Sequence, residues 1–85
     1  MIRMALIYEF WRYDIPTEIA RNLLEELRIP YKERIFKRKR ESFYDAPYDE
    51  WSKIYVEQKD LIKWLKEEID KRIINYGVNG IYSHQ

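Results

Sequence analysis

Not one of the 85 residues is a cysteine. A chain this short buries only about 60–65% of the surface its unfolded form exposes, and small domains often make up the shortfall with disulfides or a thiolate-bound metal. Neither route is open here, so the fold must rest on close packing of apolar side chains or on association with another chain. The same absence excludes a thiol nucleophile and disulfide exchange. Apolar material is available: 46% of residues are hydrophobic and 36% charged, which reads as one globular domain over residues 1–85 with a solvated exterior. Sixteen basic against fifteen acidic residues leave a net charge of +1, so the chain as a whole has no field that would gather a polyanion. No run approaches the roughly 18–20 apolar residues of a membrane span, and Met1-Ile2-Arg3-Met4 does not open a signal peptide. The expectation is a cytoplasmic protein without a membrane partner. Abundant Lys, Arg, Glu and Ile with scarce glutamine is the bias of thermophilic proteins.

Hydrophobic periodicity divides the chain into five elements. Residues Arg3 to Trp11 form a nearly continuous apolar and aromatic run, which suits a central strand covered on both faces. Asp14 stands as a helix N-cap before Pro16, and Ile19, Ala20, Leu23, Leu24 and Leu27 make one apolar face of a helix that Pro30 closes. Tyr31 to Phe36 alternates as a half-exposed strand. Lys37-Arg38-Lys39-Arg40, with Phe43 and Tyr44 following, has no useful period and reads as a loop or a fraying strand end. Tyr48 to Glu57 is rich in strand formers and reads as one strand or as two short ones turning near Ser52-Lys53. A second helix opens at Asp60, carries Leu61, Ile62, Leu65, Ile69 and Ile73 on one stripe, and stops at Gly77. Residues 78–85 read as a last strand or a loose tail.

Strand, helix, strand, strand and helix in this order make the first two strands parallel. Leu6-Ile7-Tyr8 followed by Ala20-Arg21-Asn22-Leu23-Leu24-Glu25-Glu26-Leu27-Arg28-Ile29-Pro30-Tyr31 resembles the opening of glutaredoxins and of the N-terminal domain of glutathione transferases. The resemblance extends over about residues 4–74 and implies a minimal thioredoxin-like βαββα fold. The alternative is a ferredoxin-like βαββαβ fold, which needs a strand after the second helix. Asp14-Ile15-Pro16-Thr17 occupies the slot where that family carries Cys-x-x-Cys, and Ala46-Pro47 falls where it carries a cis-proline before its third strand. Asp14 and Thr17 replace both cysteines, so a thioredoxin-like scaffold would lack its defining reaction.

The resemblance makes Tyr13, Asp14, Thr17, Ala46 and Pro47 the candidates for a ligand or partner site, with no catalytic residue and no cofactor assigned. In a glutathione-transferase-like setting the Tyr13 or Thr17 hydroxyl would stand near a bound thiolate. In the ferredoxin-like alternative, Asp14 would resemble the metal-binding aspartate of the small dimeric nuclease-like proteins of CRISPR adaptation modules. A separate set, Lys37, Arg38, Lys39, Arg40, Phe43 and Tyr44, joins cations to aromatics as nucleic-acid binding requires. Acidic pairs Glu25-Glu26 and Glu67-Glu68 lie beside basic residues and read as solvated, and His84 alone makes no metal site. The expected role is a non-catalytic module that docks on protein or on its own copy. A nucleic-acid-binding protein using residues 37–44 is the second expectation, and a metal-dependent nuclease-like dimer the third.

Overall fold

A computed structural model describes residues 3–39, 48–57 and 59–82, with side chains for all of these except 38, 39, 48, 49 and 78–82. Strand β1 (Ala5–Trp11) leads into helix α1 (Ile15–Glu26), strands β2 (Tyr31–Lys39) and β3 (Tyr48–Val56) follow, and a 3-10 turn at Lys59–Leu61 opens helix α2 (Ile62–Tyr82). The class is mixed α/β, and the element order is the expected one. Both β1 and β2 pair antiparallel with β3, in the order β1-β3-β2. They are therefore parallel to each other, yet β3 stands between them.

Alternation along β3 decides where the core lies. Ser52, Ile54 and Val56 are fully buried, whereas Trp51, Lys53 and Tyr55 are only half-buried. Onto the buried face pack Ala20, Leu23 and Leu24 of α1 and Leu65 and Ile69 of α2, with Ile7 of β1 completing one cluster. Both helices thus lie against one side of the sheet. Partly buried Tyr8, Ile29, Tyr31, Ile62 and Ile73 close the rim of that core.

Strand β1 is an edge strand, not the central one its apolar run implies. The register shifts between Leu6 and Tyr8, so that Ile7 and Tyr8 in succession serve the core while Leu6 pairs with Tyr55 on the other face. A bulge plus Leu6 and Trp11 on the second face produce a run that resembles burial on both sides. Strand β3 is continuous through Ser52-Lys53. No residue there favours the positive φ of a tight hairpin turn, and buried Ser52 pairs with Phe10 and is opposite Ile35. The basic run is strand rather than loop as far as Lys39, because β2 keeps its register with β3 through Lys39 and Tyr48.

Helix α1 ends in a Schellman arrangement. Leu27 is the C-cap, Arg28 adopts φ 57°, the Arg28 amide donates to the Glu25 carbonyl at 3.1 Å, and the Ile29 amide donates to the Leu24 carbonyl at 2.9 Å. Pro30 follows a turn that has already stopped the helix. By contrast, Gly77 does not end α2. Its φ is not in the left-handed region, and the helical backbone continues through Val78 to Tyr82, so these residues form no last strand.

Candidate functional site

Cross-strand register arranges the uncovered face of the sheet as three rows of three residues. Across β1, β3 and β2 run Trp11, Trp51 and Phe36; then Glu9, Lys53 and Arg34; then Leu6, Tyr55 and Lys32. One row is wholly aromatic, the next is charged, and the third combines Leu6, a tyrosine and a lysine. At roughly 3.4 Å per residue, successive rows stand about 7 Å apart. None of the nine residues is fully buried; Lys32 and Arg34 are exposed, and Phe36 is 40% exposed.

The aromatic row is internally braced. Trp11 and Trp51 meet edge to face, with centroids 4.9 Å apart and planes at 86°, and Phe10 lies 6.0 Å from Trp51. Trp51 Nε1 donates to Glu9 Oε1 at 3.1 Å, which sets the indole and engages the only carboxylate among the nine. Lys53 Nζ lies 5.3 Å and the Arg34 guanidinium carbon 5.9 Å from the Phe36 centroid, so two cations converge on one ring. Three cations against one carboxylate, 3 − 1, give these nine residues a charge of +2, although the whole chain carries only +1. Among the described residues none of Lys32, Arg34 and Lys53 enters an ion pair. Met4, Lys32, Arg34 and Tyr55 also line a cleft of about 510 Å³.

The helix-covered side holds a different polar group. Arg21 of α1 forks onto the Glu33 carboxylate of β2, and the Ser52 hydroxyl donates to Glu33 Oε2. Arg21 holds the Glu33 carboxyl below its usual range, overcoming the upward push of partial burial, and Ser52 acts in the same downward direction. Arg12 pairs with Glu50 nearby. A carboxylate fixed in its ionised form by an arginine and a hydroxyl is an anchor between elements, not a proton donor or base at neutral pH.

The residues singled out around the start of α1 do not converge. Tyr13 is 73% exposed, with the Arg12 guanidinium 5.0 Å from its ring centroid. Asp14 caps α1 through its backbone, its carbonyl accepting from the amides of Thr17 at 3.1 Å and Glu18 at 3.3 Å, while its side chain makes no capping bond. Thr17 is fully buried and its Oγ1 donates to the Trp11 carbonyl at 2.7 Å, which commits the hydroxyl to structure. Ala46, Pro47, Arg40, Phe43 and Tyr44 lie outside the described residues, as do the side chains of Arg38 and Lys39. Lys37 is exposed on β2. Among the described residues no three of His, Cys, Asp and Glu gather to hold a metal ion, and no helix is long and apolar enough to cross a membrane.

The three rows are assembled across strands, so no contiguous stretch of sequence contains any one of them. Their signal is present as Lys32, Arg34 and Phe36 and as Trp51, Lys53 and Tyr55, each at alternate positions, but their meaning depends on the pairing register. Compared with known proteins, the chain matches no family model, no curated protein and no solved structure.

Proposed function

We propose that this chain is a nucleic-acid-binding module whose interface is the uncovered face of the sheet. One observation carries the reading: Lys32, Arg34 and Lys53, free of ion pairs among the described residues, share that face with Phe36, Tyr55 and the braced Trp11 and Trp51. Cations supply the phosphate contacts that dominate nucleic-acid affinity, and neighbouring rings supply faces for bases. The reading keeps the expectation of nucleic-acid binding and moves its centre from residues 37–44 to the sheet. Lys37, the one member of the basic run whose side chain is described, pairs with Glu50 in register and falls on the other face of the sheet.

Within this proposal the strand order favours the ferredoxin-like expectation over the thioredoxin-like one. A β-α-β unit whose two parallel strands are separated by a third is the split arrangement from which ferredoxin-like sheets are built. This chain would be a three-stranded version, with helix where the last strand would begin. Such a sheet leaves one face open for a ligand. Retardation of labelled oligonucleotides at low salt tests the reading, with the combined Lys32→Ala, Arg34→Ala and Lys53→Ala variant as the comparison.

Self-association is a second reading, favoured by a different observation. Leu61 just before α2, and Trp64, Ile74 and Tyr76 on it, are each at least 39% exposed. A second copy docking there would use helix rather than the rows of the sheet. Light scattering that returns only a monomer would remove this second reading and leave the first intact.

A further inference from the structure

Resting on the nucleic-acid reading, we infer that the ligand is a single strand, held over about two or three nucleotides along β3 with its bases stacked on the sheet. Phe36 with its tryptophan neighbours offers one ring platform and Tyr55 another, two rows away. Two rows correspond to about 14 Å at 3.4 Å per residue. Between the platforms lie Lys53 and Arg34, and beside Tyr55 lies Lys32. Rings and cations therefore alternate along the strand direction, as bases and phosphates alternate along an extended polynucleotide. In a duplex each base face is already covered by its neighbours, so these rings could meet only backbone and edges, and their stacking would be lost.

The geometry is arranged before binding. Trp51 is held by Glu9 and set at 86° to Trp11, while Lys53 and Arg34 lie over the Phe36 ring, from which an arriving base would displace them toward its own phosphates. A ligand arriving at the braced tryptophans loses little free energy to ordering them. The cleft beside Tyr55, lined also by Met4, Lys32 and Arg34, is about 510 Å³, within the roughly 300–1,000 Å³ range of small-molecule sites and large enough for one base with its phosphate.

The test is fluorescence anisotropy at low salt with labelled oligothymidylate and oligouridylate, each alone and as a blunt duplex with its complement. Single strands should bind at least about tenfold more tightly than duplexes. Phe36→Ala and Tyr55→Ala should each weaken single-strand binding about tenfold and leave duplex binding unchanged, whereas Tyr55→Phe, which keeps the ring, should retain it. Circular dichroism of each variant separates lost binding from lost folding. Equal affinity for single strand and duplex, with Phe36→Ala and Tyr55→Ala without effect, would overturn the single-strand inference while leaving nucleic-acid binding in place. Binding to neither form would overturn both.

Discussion

Arg21 holds Glu33 through two parallel hydrogen bonds, Nε to Oε1 at 2.8 Å and Nη2 to Oε2 at 2.7 Å. The same Nη2 donates to the Arg12 carbonyl at 3.0 Å, and Ser52 reaches Glu33 from β3. The Arg21–Glu33 pair thus links α1, β2, β3 and the segment after β1. Forked pairing of this kind fixes orientation as well as adding energy, and it sits under the sheet whose other face carries the proposed interface.

This link makes stability depend on pH. Because the Glu33 carboxyl is lowered in the fold from an ordinary value of 4.5, its contribution is fully present above that value and fades as pH falls through the lower folded value. Glu33→Gln should cost about 1.5–3 kcal/mol near neutral pH, the range for hydrogen bonds to a charged group. Urea unfolding at about pH 7 and about pH 3 checks this, since the gap between wild type and variant should narrow on acidification. A gap that stays constant would mean the carboxylate's charge contributes nothing.

Arg28 carries a left-handed backbone, φ 57°, at the position where glycine is free of the Cβ clash. Arg28→Gly should therefore stabilise the fold by about 1 kcal/mol. For a domain of this size that corresponds to a rise in Tm of about 4–8 °C. A calorimetric scan showing a lower Tm would contradict the reading of that turn.

Gly77 presents the converse case. It lies inside α2, and a Cβ built on it would meet nothing within 4 Å. Gly77→Ala should raise stability by about 0.5–1 kcal/mol by removing a glycine's entropy cost from a helix interior. An unchanged or lowered midpoint in thermal unfolding would show that the helix is not populated there.

Local periodicity was sufficient to read both helices and the order of the elements. The stripe Ala20, Leu23, Leu24 and the stripe Leu65, Ile69 are the two buried helix faces that form the core. Strand order was not legible, because an apolar run like Leu6-Ile7-Tyr8 looks the same whether it is buried on both sides or bulged at an edge. Gly77 misled for a related reason: a glycine marks a helix stop only where the backbone turns left-handed, and that turn falls at Arg28 in the other helix. The candidate site was hidden more deeply. Trp11, Trp51 and Phe36 are far apart in sequence and become one row only through two separate registers, whereas cations and aromatics are contiguous in sequence only from Lys37 to Tyr44.

The nucleic-acid reading is tested most directly by the salt dependence of single-strand binding. Log affinity against log salt concentration should fall with a slope of about −0.7 for each phosphate neutralised, so Lys32, Arg34 and Lys53 together should supply a slope of about −2. The combined alanine variant should bind more weakly at low salt and lose about that much of the wild-type slope. A variant that keeps the wild-type affinity and slope, or a wild-type protein that binds no single strand at low salt, would contradict it.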